Sequence, residues 1–226
     1  MLCYRGAFKE PGIKGTMMKR FALVALALVA SASSPAAAQY VSDAEPFITA
    51  VRARDGDKAT ELINSRPTIV NTRNVKGETA LNIAIARSDD LWTKFLIGKG
   101  ANVNLAASNG DTPLITAARV GYTDAIDLLL QLGAKVDAAN RMGETPLIVA
   151  VQQRQVDAVK LLLAKGANPD KKDAAAGYSA REYAKRDTRN REILAAIEAS
   201  AAKSRPATTG KTEKPEDLDS FKLKTN

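Results

Sequence analysis

The side chains that most often carry out catalysis are scarce in this chain. Its 226 residues include no histidine, and the only cysteine, Cys3, precedes a predicted cleavage site. Histidine base catalysis, thiol nucleophiles and zinc sites built from histidine and cysteine are therefore excluded from the processed chain. The glycines occur singly, so the sequence contains no glycine-rich phosphate loop.

Carboxylates are the remaining candidates for chemistry. Asp111 and Glu144 stand 33 residues apart, after a glycine in each case. We expect both to be solvated side chains where a hairpin meets a helix. An enzyme using paired carboxylates remains an alternative, but the sequence favours a protein with no enzymatic activity and no cofactor or metal.

Short motifs recur along the chain at a constant interval of 33 residues. The openings GETAL, GDTPL and GETPL occupy residues 77–81, 110–114 and 143–147. Gly-Ala pairs keep the same spacing at residues 100–101, 133–134 and 166–167. A further opening begins at Gly177, 34 residues after Gly143, so one residue is inserted just before it. Two separate markers that hold one period indicate an internal repeat.

The central unit, residues 110–137, shows how each copy could fold. Thr112 can cap a helix that begins at Pro113, where the missing N–H costs nothing. Thr123 is the predicted cap of a second helix, which Gly133 ends. The apolar positions of the two helices are Leu114, Ala117, Ala118, Ile126, Leu129 and Leu130. One unit cannot bury this face alone, so the copies must stack.

The 33-residue period with its Thr-Pro-Leu openings resembles the ankyrin repeat over about residues 46–200. The resemblance implies an all-α solenoid of about five helix–turn–helix repeats with short hairpin loops. The expected repeats are 46–74, 75–107, 108–140, 141–173 and 174–202. Ankyrin-like sequences usually carry a histidine after the leucine, but here Asn82, Ile115 and Ile148 occupy that place. We therefore expect a polar cross-link between hairpins to be replaced by apolar bulk.

The same resemblance implies that a partner protein binds the concave face, through the hairpin tips and the first helices. The tip residues are Val75, Lys76, Glu78, Ser108, Asn109, Asp111, Arg141, Met142 and Glu144. The helix residues are Arg87, Arg119 and Gln152. Trp92, the only tryptophan, is either a core or groove aromatic or an exposed anchor for the partner.

The amino-terminal residues predict export. The predicted segments are an over-extended start at 1–17, a signal peptide at 18–38 and a linker at 39–45. The apolar run 21–30 is too short to span a bilayer stably, so we expect no membrane anchor after cleavage. Cleavage between Ala38 and Gln39 would release a bacterial protein to the periplasm or the medium.

Charge and composition narrow the function classes. The formal net charge is +8, and residues 1–38 contribute +4 of it, so the remaining +4 is too mild for a nucleic-acid surface. Residues 203–226 are rich in Pro, Thr, Lys and Glu and are predicted to be disordered. The sequence favours an exported, monomeric protein-binding module. The alternatives are an accessory protein of an exported oxidative-stress enzyme and a binder of anionic surfaces through the lysines of the tail.

Overall fold

The computed structural model describes residues 35–204, with side chains over 44–201. This part of the chain forms ten α-helices, two short 3-10 helices at Pro67–Asn71 and Thr188–Asn190, and no β-strand. The α-helices are α1 Pro35–Ala53, α2 Gly56–Ser65, α3 Ala80–Ala86, α4 Asp90–Gly98, α5 Pro113–Val120, α6 Thr123–Gln131, α7 Pro146–Gln152, α8 Val156–Ala164, α9 Ala180–Arg186 and α10 Arg191–Ser204. The expected all-α solenoid is confirmed.

The helices form two layers within residues 43–204. The first helices of the units, α3, α5, α7 and α9, pack in sequence against one another. The second helices α6, α8 and α10 form a parallel layer, and each first helix also packs on the second helix of its own unit. The core therefore lies between the layers and runs the length of the stack, as expected when each unit contacts only its neighbours.

Small and branched apolar side chains build this core. Leu114 and Leu147, at the start of α5 and α7, are buried between stacked helices, as predicted. Ala117 and Ala118 are buried with them and let the backbones approach closely. Trp92 is buried and packs edge-on against Phe95, with ring centroids 5.2 Å apart, which confirms its assignment as a core aromatic.

Hydroxyl caps start the first helices. Thr112 Oγ1 accepts a hydrogen bond from the N–H of Ile115 at 3.2 Å, which confirms the predicted cap. Thr145 makes the equivalent bond to Ile148. The cap predicted at Thr123 is wrong, because α6 already begins there and no side chain caps it. The helix starts one residue earlier than a threonine cap would require.

Parts of the predicted domain map lie outside the described residues. These are the start at 1–17, most of the signal peptide at 18–38 and all but the first two residues of the tail at 203–226. Residues 39–45, predicted as a linker, lie within helix α1, which continues through Pro46. None of the helices between residues 35 and 204 has the length and apolarity needed to cross a membrane.

Candidate functional site

The hairpins that join the units are closed by the same backbone bond each time. The N–H of Asn74 donates to the carbonyl of Glu78 at 3.1 Å, and the N–H of Asn140 donates to that of Glu144 at 3.0 Å. In the last hairpin the bond runs from Asp173 to Tyr178, which spans one residue more, as the predicted insertion requires. The hairpins therefore hold their tips in equivalent positions.

Side-chain amides fix the hairpin backbone. Asn74 Oδ1 accepts hydrogen bonds from the N–H groups of Lys76 at 3.1 Å and Glu78 at 2.9 Å. Asn140 Oδ1 accepts from Glu144 at 3.0 Å in the same way. Sequence reasoning missed these amides, although their spacing of 66 residues, two repeat periods, was visible in the chain.

Backbone hydrogen bonds join successive tips. The N–H of Ser108 donates to the carbonyl of Gly77 at 2.8 Å, and the N–H of Ala174 donates to that of Met142 at 2.9 Å. Between them, the Arg141 N–H donates to Asn109 O at 3.4 Å. We call residues 75–76, 108–109, 141–142 and 174–175 the tip row. They form one continuous surface rather than four independent loops.

Glycine permits this close approach. Gly143 has a φ of +79°, and a Cβ atom placed there would lie 2.4 Å from the backbone nitrogen of Ala174. Gly110 has a φ of +87° and would clash with the nitrogen of Arg141 at 2.5 Å. Both the left-handed conformation and the contact exclude a larger residue at these positions.

The carboxylates Asp111 and Glu144 are buried, with exposures of 6% and 8%, so the prediction that they are solvated is wrong. Asp111 Oδ2 accepts hydrogen bonds from Arg119 and Asn109, both at 2.8 Å. Its Oδ1 accepts from Asn140 Nδ2 at 3.0 Å, in the next hairpin. Sequence periodicity could not reveal this burial, because the partners come from the neighbouring unit and from the far end of the helix.

Glu78 occupies the equivalent position in the second unit and is bound by the Arg52 guanidinium from the first. Burial raises the pKa of Glu78, but hydrogen bonds from Asn74 and Arg52 and the charge of Arg52 together hold it below its usual value. The Glu78 carboxylate therefore stays ionised and connects the first repeat to the second.

The structure places the other predicted contact residues on one side of the stack. Val75 and Met142 are exposed apolar side chains of the tip row, 69% and 52% accessible, and Lys76, Asn109 and Arg141 are exposed beside them. Ser108 is half-buried because its Oγ donates to the carbonyl of Lys76 at 3.1 Å.

The three helix residues lie at or just beyond the ends of first helices. Arg87 is exposed and donates from Nη1 to the carbonyl of Arg52 at 2.7 Å. Arg119 is half-buried through its bond to Asp111, and Gln152 is half-buried at the end of α7. Arg119 is therefore partly committed to the fold, whereas Arg87 keeps its charge at the surface.

The position that follows the leucine of each opening motif behaves differently in different units. Ile115 and Ile148 are fully buried, as expected for apolar bulk. Asn82 departs from that expectation, because its Nδ2 donates to the carbonyl of Asp111 at 2.9 Å. The polar cross-link between hairpins is therefore kept in the second unit, since a short amide can reach the next hairpin where a histidine would otherwise do so.

A second set of polar side chains joins the loops after the second helices. Asn71 Nδ2 donates to the carbonyl of Gly100 at 2.9 Å, and Asn104 Nδ2 donates to that of Gly133 at 3.1 Å. One period later, Asp137 Oδ1 accepts from the N–H of Asn168 at 3.1 Å. These side chains also escaped sequence reasoning, although they keep the 33-residue phase.

Within residues 44–201 no group of three or more His, Cys, Asp or Glu side chains is arranged to hold a metal ion. Two residues of the tip row, Arg141 and Met142, are of types that are enriched in protein interfaces. A comparison with known families supports this view: a family model described as ankyrin repeats in three copies matches residues 47–140 and 90–173. No curated protein matches the chain.

Proposed function

We propose that this chain, which belongs to the ankyrin-repeat family, binds a partner protein on its tip row and the adjoining ends of the first helices. Repeat stacks of this kind present extended concave surfaces to their partners. We further propose that this is its whole activity and that it catalyses no reaction.

The observation that carries the proposal is the hydrogen-bonded continuity of the tip row. Because Ser108, Arg141 and Ala174 are each bonded to the preceding tip, the row is ordered before any partner arrives. A surface that is already ordered loses less conformational entropy on binding. It also exposes Arg141 and Met142 side by side, and both residue types are enriched in protein interfaces.

The opposite layer offers less to a partner, because many of its charges are already paired. Lys94 bonds Asp90 at 2.9 Å within α4, and Lys160 bonds Glu192 at 2.7 Å between α8 and α10. Leu91 is the main apolar exception, with an exposure of 75%. The surface around Leu91 on the second helices is therefore the alternative binding face, and an experiment must distinguish it from the tip row.

The cellular setting of the module is also a proposal, and it rests on the sequence. The signal-like residues 18–38 support cleavage before Gln39 and export as a monomer to the periplasm or beyond. The proposed repeats are 46–74, 75–107, 108–140, 141–173 and 174–202. Two alternative functions remain. The chain could be an accessory protein of an exported oxidative-stress enzyme, or it could bind anionic surfaces through the lysines of the tail.

Site-specific photo-cross-linking tests which face is used. A photoreactive residue is placed at Met142 in one variant and at Leu91 in another, and each is exposed to the exported protein fraction. We expect one abundant protein adduct from position 142 and none from position 91. An adduct from position 91 alone would place the binding face on the second helices and refute the proposal.

A further inference from the structure

The tip row contains two charged residues, and both are positively charged. They are Lys76 and Arg141, and both are exposed. Neither forms a salt bridge with any residue in 44–201, in contrast to Lys94 and Lys160 on the second helices. Their charges are therefore open to a ligand.

The carboxylates near the row form no salt bridge with these cations within residues 44–201, because each is held by other partners. Asp111 is held by Arg119 at 2.8 Å, and Glu78 is held by Arg52. Glu144 is buried and accepts a hydrogen bond from Asn140 Nδ2 at 2.8 Å. Each carboxylate would have to give up a partner inside the hairpins before it could turn outward. The tip row thus displays two positive charges, while the nearby carboxylates are buried or, like the partly exposed Glu78, bound to an arginine.

Further cations extend the same surface along the first helices. Arg87 follows the end of α3 and is exposed, and its guanidinium donates to the backbone carbonyl of Arg52. Arg186 ends α9, is exposed and stacks on the ring of Tyr178 at 4.5 Å from the centroid. Clustered charge of one sign attracts ligands of the opposite sign and speeds their association.

Each cation of the tip row lies next to an exposed apolar side chain. Val75 precedes Lys76 in the second unit, and Met142 follows Arg141 in the fourth. The third unit between them offers the neutral pair Ser108 and Asn109. Because packed helices lie roughly 8–10 Å apart, the two cation–apolar pairs are about 16–20 Å apart. An extended peptide covers that distance in about five or six residues.

We propose, on the basis of the function proposed above, that the partner presents an extended acidic segment of protein to the tip row. The segment carries two acidic–apolar residue pairs about five or six residues apart. Its carboxylates meet Lys76 and Arg141, and its apolar side chains cover Val75 and Met142. A nucleic acid would satisfy the cations, but its phosphates would leave the exposed apolar side chains uncovered, so the surface fits a peptide better.

Synthetic peptides test this inference with the purified protein. The probe is a fluorescent peptide with two Glu-Leu pairs separated by four small polar residues, and its binding is followed by anisotropy. The comparison peptides replace the glutamates by lysine or glutamine, or separate the pairs by one residue. We expect the acidic, long-spaced peptide to bind at least about tenfold more tightly than each of the others. Its affinity should fall severalfold as salt is raised, because exposed charges are screened.

Charge-reversal variants locate the binding site of the probe. Lys76→Glu with Arg141→Glu should weaken binding of the acidic peptide at least about tenfold. Lys99→Glu with Lys135→Glu changes the net charge equally at exposed positions that follow second helices, and should alter binding less than twofold. The neutral pair Lys76→Gln with Arg141→Gln serves if the reversed pair fails to fold, and should weaken binding at least threefold.

The outcomes separate this inference from the proposed function. If the acidic and glutamine peptides bind equally well, the inference that the partner is acidic is refuted. A cross-link from position 142 would still support the proposal that the tip row is the binding face. Equal losses in the row and control variants would also overturn it, since net charge alone would then explain binding. Tighter binding of single-stranded DNA than of the acidic peptide, lost in the row variant, would identify a nucleic acid instead.

Discussion

Asp111 connects two neighbouring hairpins and one helix end through a single buried carboxylate. It accepts hydrogen bonds from Asn109, Arg119 and Asn140. Both oxygens must accept, and an amide in the same place would present a donor to groups that are themselves donors. The negative charge is thus used to hold the repeats in register.

Asp111→Asn should therefore lower the free energy of unfolding by about 1–3 kcal/mol, because a buried donor is left unsatisfied. Asp124→Asn makes the same chemical change at an exposed position and should alter stability by less than about 0.5 kcal/mol. Urea denaturation of both variants measures the difference. Equal effects would show that the network around Asp111 contributes nothing special.

Gly143 tests the close contact of the tips. Gly143→Ala combines a left-handed φ, which costs an L-residue about 1–2 kcal/mol, with a clash against the backbone of Ala174. Gly166→Ala carries the same backbone strain, with a φ of +88°, but its Cβ would meet nothing within 4 Å. We expect Gly143→Ala to cost about 1–3 kcal/mol more than Gly166→Ala in thermal or chemical unfolding. Equal costs would mean that the tips do not touch.

Asp173, in the last hairpin, is expected to make the free energy of unfolding depend on pH. Burial raises the pKa of Asp173, but hydrogen bonds from the Tyr183 hydroxyl at 2.6 Å and from the N–H groups of Ala176 and Gly177 hold it below its ordinary value. The hydrogen bond to Asp173, followed by burial, raises the pKa of Tyr183 to about 12. The pair therefore exists as a carboxylate and a neutral phenol.

The folded-state pKa of Asp173 is lower than its unfolded-state pKa of about 3.9, so the ionised carboxylate stabilises the fold at pH values above about 3.9. This stabilisation is lost as the pH falls through the folded-state pKa. The free energy of unfolding should thus decrease below about pH 4. Asp173→Asn should reduce that decrease, and Tyr183→Phe should reduce it less, because the backbone donors remain. Urea unfolding between about pH 2.5 and 7 measures the slopes. A slope unchanged in both variants would contradict the assignment.

At the scale of helices, the central first helices bury the most side chains, six each in α5 and α7 against three each in α6 and α8. Leu147 lies at the start of α7, which packs against α5 on one side and α9 on the other. Leu147→Ala should therefore cost about 2–5 kcal/mol through lost burial and the cavity left behind. Leu132→Ala, at a half-exposed position after α6, should cost much less. Similar costs would show that the stack is not packed through α7.

The helix pairs could be predicted from the sequence because their signals are local. Thr112 before Pro113 starts a helix, Gly133 follows the end of one, and the apolar spacing assigns Leu114 to the core. The wrong prediction at Thr123 has a different cause. A threonine can cap a helix or begin it, and the choice depends on packing that a single sequence does not contain.

The candidate site was predictable only in part, since its geometry depends on contacts between repeats. Exposed tip residues such as Met142 follow directly from the hairpin position. The burial of Asp111 and Glu144 does not, because it requires donors such as Asn140 in a neighbouring hairpin or at the base of the same one. The hydrogen bond of Asn82 to the next unit was hidden for the same reason.

At the scale of the whole stack, the two layers have different surfaces. The second helices pair their charges across units, as between Lys165 and Asp127 at 2.6 Å. Within residues 44–201 the tip row leaves Lys76 and Arg141 without a salt bridge, and it exposes Val75 and Met142 beside them. The unpaired positive charge beside exposed apolar side chains is what makes the tip row, rather than the second helices, the expected binding face.

The most direct test of the binding face compares two matched truncations. Arg141→Ala with Met142→Ala removes an exposed cation and an exposed apolar side chain from the tip row. Leu91→Ala with Lys94→Ala removes the same types from α4. Neither pair removes a buried group, and circular dichroism verifies that both variants remain folded.

The measurement is the dissociation constant of the partner identified by cross-linking, determined by calorimetry for the parent protein and both variants. The tip-row pair should weaken binding at least about tenfold, which corresponds to roughly 1.4 kcal/mol. The α4 pair should change binding less than twofold. Loss of affinity in the α4 pair, with the tip-row pair unaffected, would contradict the assignment and place the partner on the second helices.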